Sequence, residues 1–161
     1  MGTRYYIAYG SNLNLGQMKK RCPKAKIIGT AELHDYQLLF KKSESDDEAY
    51  LTIESKTRSV VPVAVWETTD SDEACLDIYE AYPELYYKKE MSVNVMETNT
   101  GKLGKCRQLT AYIYIMYESN RIGIPSDAYV KECLEGYRDF GFDEKYIAEA
   151  LKISVEKHIK S

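Results

Sequence analysis

Two stretches of the chain carry residue types whose spacing offers chemistry, Tyr9-Gly10-Ser11-Asn12-Leu13 and Leu76-Asp77-Ile78-Tyr79-Glu80-Ala81-Tyr82. In the first, glycine admits positive φ and close approach of a ligand, so that successive backbone N–H groups can be aimed at one anion or oxyanion. Read locally, the same string also serves as a plain strand-to-helix turn capped by Asn12 or Asn14. In the second, Leu76, Ile78, Tyr79 and Tyr82 surround Glu80 with apolar and aromatic surface. Such a setting disfavours the charged carboxylate and raises its basicity, which makes Glu80 a candidate general base. Beside Asp77 and Glu84 it also reads as a solvated helix-face glutamate, the commoner fate of that residue.

What the sequence lacks narrows the chemistry further. The four cysteines, Cys22, Cys75, Cys106 and Cys133, form no C-x-x-C pair, so a structural zinc site is not expected. The only histidines are His34 and His158, and neither is placed to serve a Cys-His or Ser-His-Asp nucleophile. Neither a metal nor a cofactor is expected. Twenty-two Lys and Arg against 25 Asp and Glu give a net charge of -3, which offers no general attraction to nucleic acid or an anionic membrane. The basic clusters Lys19-Lys20-Arg21 and Lys41-Lys42 are short and are expected to solvate a helix end and a loop. Fifteen tyrosines against three phenylalanines fit either a Tyr-lined pocket or Tyr-rich strands on a half-wet sheet, since the ring is favoured where one end is dry and the other wet.

The elements that must hold these residues follow from periodicity and breakers. A length of 161 residues suits one domain over 1–161. No apolar run approaches a membrane span and the N-terminus has no signal-peptide pattern, so a cytoplasmic protein is expected. Tyr5 to Tyr9 reads as a strand ending at Gly10-Ser11-Asn12, and Asn14 caps a short helix that Pro23 ends. Lys26 to Leu33 and Tyr36 to Lys41, joined by His34-Asp35, read as a tight hairpin. Lys42 to Glu48 is an exposed acidic loop, followed by strands Tyr50 to Glu54 and Val60 to Glu67, with Pro62 near an edge or bulge. Asp70 begins a helix with Cys75, Leu76, Ile78 and Tyr79 on one face, limited by Pro83. Tyr86 to Met96 and Arg107 to Ile115 form strands around the Gly101- and Gly104-containing turn Thr98 to Lys105. Helices over Ser126 to Phe140 and Asp143 to about Lys157 are separated by Gly141. The sum is an α+β fold, a small mixed or antiparallel β-barrel of six or seven short strands with flanking helices.

The combination is more specific than its parts. Tyr6-Ile7-Ala8-Tyr9-Gly10-Ser11-Asn12-Leu13, the D-x-x-E stretch Asp77 to Glu80, and the later run Cys106-Arg107, Tyr117-Glu118-Ser119 and Pro125-Ser126-Asp127-Ala128-Tyr129 together resemble the γ-glutamylcyclotransferase family and its AIG2-like relatives. The resemblance implies that Glu80 is the catalytic glutamate. It also implies that Tyr6, Ile7, Ala8, Tyr9, Gly10, Ser11 and Asn12 form the substrate-binding segment. Tyr87, or failing that Tyr86, would be a pocket tyrosine, and Tyr129 a later substrate contact. Ala81 stands where many relatives have glycine, and the loop has the Y-G-S-N form, whereas the glutathione-specific branch has Y-G-S-L. The implied reaction is release of 5-oxoproline and a free amine from a small γ-glutamyl compound without cofactor, nucleic acid or membrane. A non-catalytic AIG2-like binding domain is the alternative, and a homodimer is left open.

Overall fold

The computed structural model describes residues 2–44, 47–98 and 105–160. In chain order these form β1 (Thr3–Ala8), a single 3-10 turn (Ser11–Leu13), α1 (Leu15–Arg21), β2 (Lys26–Lys42), β3 (Tyr50–Thr69), α2 (Asp70–Tyr79), β4 (Tyr86–Glu97), β5 (Cys106–Met116), β6 (Arg121–Ile122), α3 (Asp127–Phe140) and α4 (Lys145–Lys160). The strands run in the order β3-β1-β5-β4-β2, and β2 pairs again with β3, so the sheet closes into a barrel. Only the β1–β5 pairing is parallel; β6 adds a short antiparallel rung to β2. The β1–β5 and β2–β4 seams are each closed by two residue pairs, against the long ladders of β2–β3 and β4–β5. Among the described residues no helix is long and apolar enough to cross a membrane.

The expected hairpin at His34-Asp35 is instead a bulge within one long strand. Asp35 takes the left-handed conformation at φ 66, the register with β3 shifts there, and Asp35 Oδ1 accepts the backbone N–H of Arg58, itself at φ 68. An aspartate that tolerates this conformation can serve a bulge as readily as a turn, and sequence alone does not separate the two. The expected strands Tyr50 to Glu54 and Val60 to Glu67 are likewise the two halves of β3. Pro62 pairs with Glu32 of β2 and lies just beyond the last β1–β3 pair, Ala8 with Ala64, so on the β1 side its missing N–H breaks no rung. The turn expected around Gly101 and Gly104 falls outside the described residues.

Helix α2 begins where expected, with a capping box in which Thr69 Oγ1 accepts from Asp72 N and Asp72 Oδ2 accepts from Thr69 N. Its apolar face is narrower than the spacing suggested. Leu76 is fully buried, but Cys75 and Ile78 face outward, Ile78 with 82% of its surface exposed. Helix α3 packs directly on the 3-10 turn. A Cβ at Gly136 would lie 2.6 Å from Asn14 N, so glycine is what allows this contact. Asn14 Nδ2 then donates to the Glu132 carbonyl and the Glu135 carboxylate, which fastens the turn to α3.

Candidate active site

Three elements meet around a cavity of about 270 Å³: the loop after β1, the C-terminal end of α2, and the start of α3. Tyr6, Tyr9, Gly10, Ser11 and Asn12 line it from the first, Tyr79, Glu80 and Ala81 from the second, and Tyr129 from the third. Of the residues singled out in sequence, Ile7 and Ala8 are buried behind this wall and do not line it. Of Tyr87 and its alternative Tyr86, the second is the one at the cavity. Tyr86 lines the cavity and donates its hydroxyl proton to the Leu51 carbonyl, whereas Tyr87 lies tilted against the Tyr117 ring and donates to Glu118. Strand alternation sends neighbours to opposite faces, and sequence alone did not fix which face is inward here.

The position of Glu80 comes from how α2 ends. Ala81 N–H donates to the Ile78 carbonyl and Tyr82 N–H to the Asp77 carbonyl, with Ala81 left-handed at φ 48. This is a Schellman ending in which Glu80 is the cap and Ala81 occupies the position usually given to glycine. A Cβ in that conformation costs roughly 1–2 kcal/mol. Part of that is offset in an Ala81→Gly variant by the greater chain entropy of unfolded glycine. Urea unfolding should therefore place Ala81→Gly between equal to and about 1 kcal/mol more stable than the parent, and Ala81→Val below it by about 1 kcal/mol or more. An Ala81→Gly variant less stable than the parent would contradict the strain.

Among the described residues, the Glu80 carboxylate has no hydrogen-bond or ion-pair partner. The residue lines the cavity, and desolvation pushes its pKa up to about 8, with the nearby Arg21 guanidinium opposing the shift. Arg21, expected to solvate a helix end, is instead folded inward. Its guanidinium lies 3.7 Å from the Tyr79 ring centre, donates to Asn12 Oδ1 at 2.6 Å and stands 3.7 Å from Glu132 Oε2. Lys41 of the second basic cluster is buried too, paired with Glu54.

The loop opposite Glu80 is held by side chains. Ser11 Oγ and Tyr79 Oη share a hydrogen bond of 2.7 Å, and Asn12 Nδ2 donates to Tyr6 Oη at 2.8 Å. The N–H groups of Leu13 and Asn14 are used within the turn, by Gly10 O and Ser11 O, while those of Ser11 and Asn12 meet no acceptor among the described residues. Gly10 has φ -127, so the expected positive φ is absent, and its value lies in close approach. A Cβ there would meet Leu51 Cβ at 3.3 Å and Tyr129 Oη at 3.6 Å. Tyr9 donates to the Tyr114 carbonyl, and Tyr129 Oη accepts the Leu51 N–H. Tyr114 and Arg21 completed this site without being read in sequence as part of it, whereas Tyr79 was read there only as apolar surface around Glu80; the i+3 spacing of Asp77 before Glu80 was visible, but the partner of Asp77, Tyr114, was not.

A family model described as "Gamma-glutamyl cyclotransferase, AIG2-like" matches residues 6–131, which span the loop, Glu80 and Tyr129. The chain belongs to this family. Mouse gamma-glutamylcyclotransferase is 32% identical over 156 residues, covering 93% of this chain and 78% of the mouse protein. The bovine protein of the same name is 31% identical over 147 residues, covering 88% and 73%. A solved structure titled "Gamma-glutamyl cyclotransferase" superposes with a TM-score of 0.75 at 25% identity, covering 92% of this chain and 86% of that one. This γ-glutamylcyclotransferase homologue is an enzyme of that type, built on the family's barrel.

Proposed function

We propose that the protein cyclises small γ-glutamyl compounds to 5-oxoproline, with Glu80 moving the protons. The observation that carries this reading is the unpaired Glu80 carboxylate facing a Tyr-walled cavity, with its pKa pushed up to about 8. A γ-glutamyl compound holds its own nucleophile, the α-amine, within reach of the γ-carbonyl, so no Ser or Cys is needed. Intramolecular attack from a well-oriented pose is worth roughly 7 to 11 kcal/mol. The obstacle is that an α-amine is mostly protonated near neutrality.

Glu80 takes one proton from the α-ammonium, and the freed nitrogen attacks the γ-carbonyl carbon. Negative charge then gathers on the former carbonyl oxygen, which the Ser11 and Asn12 N–H groups are free to receive. Glu80 returns its proton to the departing nitrogen as the old C–N bond breaks. The surplus proton on the ring nitrogen leaves through the same carboxylate, giving 5-oxoproline and a free amine. A base whose pKa lies close to that of the amine suits both directions of transfer. The aromatic walls of Tyr9, Tyr86 and Tyr129 hold the glutamyl part and keep water from the reacting carbonyl.

Incubation with a panel of γ-glutamyl amino acids, amines and isopeptides, followed by detection of 5-oxoproline, tests the reaction. Binding without 5-oxoproline from any of them would leave the cavity a binding site only. The mechanism uses neither thiol nor metal. Cys75 and Cys106 are exposed, while Cys22 and Cys133 are buried with pKa values pushed up to about 12 by desolvation. Alkylation should modify Cys75 and Cys106 and leave kcat/KM within about twofold, and EDTA should leave it unchanged. Loss of activity on removal of a stoichiometric metal would contradict the mechanism.

A further inference from the structure

Most tyrosine hydroxyls around the cavity have already spent their protons. Tyr9 donates to the Tyr114 carbonyl, Tyr86 to the Leu51 carbonyl, and Tyr114 to Asp77 Oδ1. Tyr129 accepts from Leu51 N–H and has the Cys133 thiol beside it for its own proton. Tyr6 is different, and the reason begins outside the cavity at Arg21.

A guanidinium only donates, so the atom of Asn12 facing Arg21 at 2.6 Å has to be the amide oxygen. That orientation turns the amide nitrogen to Tyr6 Oη at 2.8 Å. An amide N–H only donates in its turn, so Tyr6 Oη is the acceptor and its own proton points elsewhere. No protein acceptor among the described residues receives it. The ring is 3% exposed and pinned by Tyr112, stacked at 5.3 Å, and Tyr114, edge-on at 5.9 Å, and the residue lines the cavity. An enclosed hydroxyl with an unspent proton is costly unless a ligand completes it.

We propose that Tyr6 donates a hydrogen bond to a negatively charged oxygen of the substrate, and that Arg21 and Asn12 are positioning residues that hold its proton toward the cavity. This rests on the cyclisation reading, which supplies two such oxygens, the α-carboxylate and the oxyanion formed on ring closure. Burial raises the Tyr6 pKa well above its ordinary value, so the donor stays protonated throughout the working range.

The decisive variant is Asn12→Asp. It keeps an oxygen for Arg21 but offers Tyr6 a second acceptor, so the Tyr6 proton turns away from the substrate. Tyr6→Phe and Asn12→Asp should each lower kcat/KM about 100-fold, and the double variant should fall no more than about threefold further. Rates are compared on the plateau of each variant's pH profile, so that a shifted Glu80 titration is not counted as a lost donor. A loss confined to kcat assigns the donor to the oxyanion, and a rise in KM assigns it to the α-carboxylate. Arg21→Lys, which stays a pure donor, should retain more activity than Arg21→Met, and this comparison carries the test if Asn12→Asp folds poorly. Activity of Asn12→Asp within about threefold of the parent, multiplicative losses in the double variant, or equal losses in Arg21→Lys and Arg21→Met would overturn the inference. Glu80→Gln is measured alongside: full turnover there sinks the cyclisation reading itself, whereas an inactive Glu80→Gln with normal Tyr6→Phe and Asn12→Asp removes only the role of Tyr6.

Discussion

Replacing Glu80 with glutamine should lower 5-oxoproline release at least ~100-fold while making the protein more stable above pH 8. Both effects have one cause. Glutamine keeps the size of the side chain but cannot take a proton from an ammonium. It also carries no charge, so it removes the cost of holding a carboxylate in an enclosed cavity. Near-parental turnover by a folded Glu80→Gln variant would end the proposed role.

The sign of the stability effect follows from where the proton sits. Desolvation raises the folded-state pKa of Glu80 to about 8, well above that of a free glutamate, so the folded protein binds the proton more tightly than the unfolded chain. Below pH 4 both states are protonated and the group costs nothing. As pH rises toward 8 the unfolded chain gains the advantage of an ionised carboxylate, and stability falls. The full shift corresponds to about 5 kcal/mol, and access of water to the cavity reduces the expected penalty to about 2 kcal/mol. Thermal melts of parent and Glu80→Gln should therefore converge near pH 4 and separate by several degrees at pH 9. The same titration sets the activity profile: kcat/KM should rise with pH through a midpoint near 8, because only the carboxylate form accepts the ammonium proton. A profile flat from pH 6 to 9 would contradict the base.

How much of this was legible in the sequence depended on how local the cause was. The start of α2 at Asp70, the Asn14 cap of α1 and the division of α3 from α4 at Gly141 are set within one helical turn, and each was readable from spacing. The bulge at Asp35 was not, because its left-handed conformation is shared between turns and bulges, and the partner strand that decides lies about twenty residues downstream around Arg58. The same reason separates Tyr86 from Tyr87. Which of the pair faces the cavity depends on register with β5, where Tyr86 pairs with Met116 and Tyr87 with Ile115. Arg21 looked like part of a solvated basic cluster, since nothing in its own neighbours announces a tyrosine ring from α2 above it. The loop and Glu80 were legible through residue type, and the network joining them was not, because it is made of contacts between residues far apart in sequence.

The loop gives the second large effect, and here substitution can separate a displaced backbone from a lost side chain. Gly10 approaches Leu51 so closely that a Cβ would sit 3.3 Å from Leu51 Cβ and 3.4 Å from Leu51 Cδ1. A β-branched side chain adds two methyl groups to that contact. Gly10→Val should therefore push the loop away from β3 and carry the Ser11 and Asn12 N–H groups with it. Losing one oxyanion donor typically costs about 2.7 to 4 kcal/mol of transition-state stabilisation. Gly10→Val should accordingly lose at least ~100-fold in kcat. Ser11→Ala keeps its N–H and loses only the hydrogen bond with Tyr79 Oη, so a loss of about tenfold or less is expected. If the loop served only as a turn, both variants would act through stability, and activity per folded molecule would be unchanged. Measuring kcat beside the folded fraction distinguishes the two, and a structure with bound 5-oxoproline should place the ligand's ring between this loop and Glu80. A Glu80 carboxylate more than about 6 Å from the ring nitrogen, with no bridging water, would leave the proton transfer without a route.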